Sequence, residues 1–147
     1  MTSTGTDSDF VVKIIDVYPD DYPDNEVAVT NKRVLGPPSV RMGGYQQLLR
    51  GWPMRAKFRN SWEKPEALIP GKVAKLEFTM PDINHTFRKG HRIMVQIQSS
   101  WFPLIDRNPQ TFVQIPNAKT EDFKKATEQV IHRRSAASRI ELMVLGQ

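Results

Sequence analysis

DFVVKIIDVY, residues 9–18, is apolar at nearly every position. A run of that length, without the spacing of an amphipathic helix, reads as a strand covered on both faces. Downstream, PDDYPDN (19–25) is dense in turn formers and EVAVT (26–30) resumes alternation, which predicts a hairpin closed off by Gly36-Pro37-Pro38. Residues 45–50, after Gly43-Gly44, look too short for more than a helical turn.

Further along, the period of two repeats. Over residues 53–62, Met54, Ala56 and Phe58 are expected to face inward, against Arg55, Lys57 and Arg59. After the Pro70-Gly71 turn, Ala74, Leu76, Phe78 and Met80 take the inner face, with Lys75, Glu77 and Thr79 outward. After Lys89-Gly90, Ile93, Val95 and Ile97 are expected on the core side and Arg92, Gln96 and Gln98 opposite. A short helix is expected over 121–127, and a last strand pair over 129–133 and 139–145. Short strands punctuated by turns, with one or two short helices at most, predict an all-β fold: a jelly-roll or galactose-binding-like β-sandwich.

At 147 residues the chain is one domain by length, long enough to bury about 70% of its unfolded surface. It has no cysteine, so disulfides, thiolate metal sites and a cysteine nucleophile are excluded. No basic apolar leader opens it and no run is long enough to cross a membrane as a helix, so no membrane partner is expected and no compartment is selected. The net charge of +5 is unevenly placed: residues 1–26 hold seven acids against Lys13 alone. Such asymmetry suits a chain whose faces meet different neighbours.

Candidate chemistry is sparse. A serine hydrolase needs a nucleophile on a sharp turn, a histidine base and an orienting acid, and no G-x-S-x-G occurs. His85 and His91 flank one turn and can approach each other, but a zinc site needs a third ligand that their spacing does not supply. The acids of residues 16–26 offer oxygen ligands without the ordered calcium-loop pattern, and their bland role is turn formation. No catalytic, metal or cofactor residues are assigned. Arg50, Arg55, Lys57 and Arg59, with Trp52, Phe58 and Trp62, mix charge and aromatic faces as a nucleic-acid binder does. Outward Arg and Lys also guard strand edges, and Phe58 falls in the inward set, so no nucleic-acid partner is expected.

The aperiodic loop SWFPLIDRNPQ (100–110) is the best interaction surface in the chain. Here the wording resembles a known family. KGHRIMVQIQSSWFPLIDRNPQT (89–111), TGTDSDFVVKIIDVYPDD (4–21), MRAKFRNSWEKPEALIPGKV (54–73) and ATEQVIHR (126–133) are similar to the C-terminal jelly-roll domain of X-Pro dipeptidyl-peptidase-type hydrolases. That family includes cocaine esterase, α-amino acid ester hydrolases and glutaryl-7-aminocephalosporanic acid acylases. The resemblance covers nearly the whole chain. It implies a parent serine hydrolase acting on esters or amides, with its triad in an upstream α/β-hydrolase domain that packs on this non-catalytic domain and can join subunits. Trp101, Phe102, Asp106 and Arg107, with Arg55, Lys57 and Arg59, are the expected docking residues. Family members also carry one or two strands ahead of the position of Thr2, so strand exchange or homo-oligomerisation is a further expectation. A free-standing carbohydrate- or nucleic-acid-binding sandwich is the alternative.

Overall fold

A computed structural model describes residues 1–24, 28–30, 33–35 and 40–145. Seven strands carry the described fold: β1 (Thr2–Ser3), β2 (Asp9–Val17), β3 (Ala28–Thr30), β4 (Arg33–Leu35), β5 (Gln46–Arg55), β6 (Arg92–Gln98) and β7 (Glu128–Gln129). Every helical element among the described residues is a three-residue 3₁₀ turn. The protein is all-β, as its periodicity requires, and the pairs whose register is defined are antiparallel.

The chain divides into two compact units. The unit of residues 11–53 and 79–98 is built on a three-stranded sheet ordered β5-β2-β6. The central strand is the apolar run that decides the fold. Val11, Ile14, Ile15 and Val17 are buried, and so is Asp16 in their midst. With a neighbour on each side, β2 has its backbone donors and acceptors met, and apolar side chains on both faces add to its burial. In the β2–β6 register Val12 faces Ile97, Ile14 faces Val95 and Asp16 faces Ile93, so the three β6 side chains do share a face. On that face the β2 partners Ile14 and Asp16 are buried, but the expected core positions Ile93 and Val95 of β6 are exposed. β6 lies at the end of the sheet order, and no further strand of the described residues pairs with it there.

Two further expectations are corrected in this unit. Residues 46–55, read as a helical turn and the start of a separate strand, form one ten-residue strand, because β2 offers an open edge for it. The strand after the acidic turn pairs with β4 (Ala28 with Leu35, Thr30 with Arg33), while β2 takes β5 and β6 instead. Glu26 and Gly36-Pro37-Pro38 lie outside the described residues. The Lys89-Gly90 turn forms as expected, with Gly90 at φ +89, a conformation that favours glycine and leads directly into His91.

The second unit comprises residues 1–10, 54–78 and 99–147. Its β1–β7 pair is short, and most of its order comes from single backbone bonds onto residues 3–8. Ala56 donates to Ser8 at 2.8 Å, Leu68 to Thr6 at 2.8 Å, Gly71 to Ser3 at 2.8 Å and Thr6 to Gln110 at 3.0 Å. The expected alternation over 53–62 breaks at Ala56–Phe58, a 3₁₀ turn that swings Lys57 into the interior. The expected helix over 121–127 is only the turn Thr120–Asp122, followed by the extended pair β7. No strand forms over 130–145 among the described residues; a 3₁₀ turn at Arg134–Ala136 takes the place of the expected closing pair. In residues 72–80 the side chains alternate as predicted, with Ala74, Leu76, Phe78 and Met80 half-buried, yet no ladder partner is assigned to them.

Candidate functional site

All seven expected docking residues fall in the unit of residues 1–10, 54–78 and 99–147. The unit has a polar interior. Asp7, Ser8 and Asp9 are buried side by side at the entry to β2. Desolvated carboxylates need cations or several donors, and these have both. Asp9 receives two bonds from the Arg55 guanidinium, at 2.9 and 3.2 Å, and a third from the Asn108 amide at 2.9 Å. Asp7 accepts the Lys57 and Ser8 backbone N–H groups at 3.2 and 2.9 Å, and the Lys57 ammonium lies 3.2 Å from its other oxygen. That ammonium also donates to the Val113 carbonyl at 2.7 Å. Arg59 turns back on the chain, donating to the carbonyls of Ala56, Glu66 and Ala67.

Two of the three cations read as an outward face are thus committed inward. Arg55 keeps about a quarter of its side chain exposed, whereas Lys57 and Arg59 have far less. The other half of the expected surface stands out from the unit. Phe102 and Leu104 are 58% and 67% exposed, well above what an ordinary loop position needs to be soluble. Arg107 lies 4.6 Å from the Phe102 ring centroid, a cation–π contact that orders both, and Asp106 is exposed beside it. Trp101 is half-buried, and its carbonyl accepts the Ile105 N–H at 3.1 Å. The end of the loop is anchored, because Asn108 and Pro109 are buried. Asp9 therefore joins the two halves of the prediction: its Oδ1 accepts from both Arg55 and Asn108.

Glu128 sits half-buried against this cluster, hydrogen-bonded to the Ser8 hydroxyl. Burial pushes its carboxyl above the usual range; the Ser8 bond opposes this and the Asp9 charge adds to it.

In the other unit, His85 and His91 do meet, through Asp16, which the sequence offered as an oxygen ligand of the acidic turn and not as a histidine partner. Asp16, 1% exposed, faces His85 Nε2 and His91 Nδ1 at 2.9 Å, one on each oxygen. Among the described residues no group of three His, Cys, Asp or Glu side chains is arranged to hold a metal ion. The signal for Asp7, Asp9 and Asp16 was present in DSDFVVKIIDVY: an acid inside an apolar strand has to be buried with a donor.

The model of the X-Pro dipeptidyl-peptidase C-terminal non-catalytic domain matches residues 1–141. The chain belongs to this family. Cocaine esterase of Rhodococcus sp. (strain MB1 Bresler) is 29% identical over 133 residues, which are 90% of this chain and 19% of that protein. The crystal structure of an aminopeptidase from the marine sediment archaeon Thaumarchaeota archaeon superposes with a TM-score of 0.69 at 44% identity, over 85% of this chain and 18% of that one. An α-amino acid ester hydrolase gives a TM-score of 0.70 at 41% identity, with the same coverage. The chain thus spans about a fifth of the length of these relatives, and the family of which it is a member is the non-catalytic part of hydrolase proteins.

Proposed function

We propose that this chain is the C-terminal domain of a serine hydrolase acting on ester or amide bonds, and that it packs on the α/β-hydrolase domain of the same protein. The observation that carries the reading is the match of a non-catalytic domain family over 141 of 147 residues. The coverage of about a fifth of three hydrolases supports it. The docking surface is the loop of Trp101, Phe102, Asp106 and Arg107, with Leu104 at its tip. Arg55, Lys57 and Arg59 act behind it, holding the loop's base and its neighbours through Asp9, Asp7 and the backbone. An exposed aromatic and an exposed leucine on an anchored loop, rimmed by one acid and one base, have the make-up of an interface centre.

Two measurements test this. An ester-hydrolysis assay on the 147-residue chain alone is expected to give background only; turnover dependent on one of its own serines would overturn the reading. Phe102→Ala with Trp101→Ala in the intact protein is expected to weaken docking by about 2 kcal/mol or more, read as a loss of thermal stability and activity together. Unchanged stability and activity would remove the loop from the interface.

The same reading extends to the stretch after Ala74. The Met1 nitrogen donates to Ala74 O at 3.1 Å and Ala74 N–H donates to Met1 O at 2.8 Å, a reciprocal bridge pair. A strand supplied from upstream of Met1, or by exchange with a second copy, would continue that ladder along residues 76–80. Sedimentation of the 147-residue chain at micromolar concentration is expected to show self-association; a compact monomer with residues 76–80 protected from exchange would contradict it.

A further inference from the structure

The unit of residues 11–53 and 79–98 carries a solvent-open cavity of about 380 Å³, within the size range of small-molecule sites, ~300–1,000 Å³. Asp16, His85 and His91 contribute to its wall as a closed network. Each carboxylate oxygen faces an imidazole nitrogen at 2.9 Å, which orients both rings, and the acid itself is buried at 1% exposure. The aromatic part of the wall is equally fixed. The Tyr18 hydroxyl donates to Gln47 at 2.8 Å, and its ring lies 4.5 Å from that of His91 and 4.7 Å from that of Tyr22. Against this network stands Arg88. It lines the same cavity, is exposed, and has no ion-pair partner among the described residues. Asn84 and Thr86 bring an amide and a hydroxyl to the wall beside it.

The exposed cation of the wall is therefore a planar fork of N–H donors, flanked by an amide and a hydroxyl and backed by ring surface, while Asp16 is already engaged by the two imidazoles. A fork of that shape matches a carboxylate oxygen pair. We propose that this cavity binds a small carboxylate, with Arg88 holding both oxygens, Asn84 and Thr86 donating beside it, and the Tyr18 and Tyr22 rings against the ligand's hydrocarbon. The site is separate from the expected docking residues and does not depend on the hydrolase reading.

Isothermal titration of the intact protein with succinate is the test, with glucose and inorganic phosphate as comparison ligands and Arg88→Gln and Arg88→Lys as variants. Saturable succinate binding is expected, weakened about tenfold or more by Arg88→Gln and less by Arg88→Lys, which keeps the charge and loses the fork. Melting temperature should not change in either variant, since Arg88 is exposed and unpaired among the described residues. Several results would overturn the proposal: no saturable succinate binding, succinate binding indifferent to Arg88, glucose binding in preference to succinate, or phosphate binding more tightly than succinate. Indifference to Arg88 would mean that the carboxylate is held elsewhere in the protein.

Discussion

Strand β2 and residues 74–87 carry comparable amounts of apolar side chain, and the two have different neighbours. β2 has β5 on one side and β6 on the other, and its residues are buried almost throughout. Residues 74–80 and 83–87 alternate half-buried with exposed side chains, the mark of extended chain, yet after the bridge at Ala74 no ladder is assigned to them among the described residues. Hydrophobic period decides which side chains turn inward. Pairing needs, in addition, a neighbouring backbone to supply donors and acceptors.

Substitutions separate the two regions by magnitude. Ile14→Pro removes a ladder donor from a central strand and a buried side chain at once, so a loss above about 4 kcal/mol, or failure to fold, is expected in denaturant melts. At the entry to β2, Lys57→Ala strands Asp7 as a buried, uncompensated charge, and a loss of about 3–5 kcal/mol is expected by the same measurement. A loss near zero would show that Asp7 finds water or another donor.

Glu128 gives a smaller effect with a defined sign. Its folded carboxyl titrates above the ordinary value of 4.5, so the folded state binds its proton more tightly than the unfolded state does. The stabilisation is present below about that value and is lost as pH rises through the folded pKa. Glu128→Gln should flatten that part of the stability profile and be the more stable form above it. Thermal melts from pH 4 to 7 read it, and an unchanged slope would remove Glu128 as its source.

Thr79→Pro is the smallest, with a cost under about 1 kcal/mol in the 147-residue chain, because no backbone bond is assigned to the Thr79 N–H. A much larger cost in the intact protein would show that the stretch is paired there.

The fold class was legible in residues 9–18 and in the alternations that follow, because burial on both faces leaves a run with no polar face. The position of Lys57 was not legible. A 3₁₀ turn at Ala56–Phe58 brings Lys57 inward while Ala56 stays buried as expected, and its partner, the buried Asp7, lies fifty residues upstream. The exposure of Ile93 and Val95 was equally hidden, since an edge and a centre strand share one pattern and differ only in what lies beside them. The loop at Trp101–Pro109 was legible as a surface because aromatic residues without a period have no sheet face to join. Its anchoring through Asn108 and Asp9 depended on a contact that no local spacing encodes.

Hydrogen exchange at residues 102–107, compared between the 147-residue chain and the intact protein with β2 amides as the internal reference, tests most directly whether this loop meets a catalytic domain. These amides are expected to be slowed severalfold or more in the intact protein while β2 stays protected in both. Equal exchange in the two would contradict it.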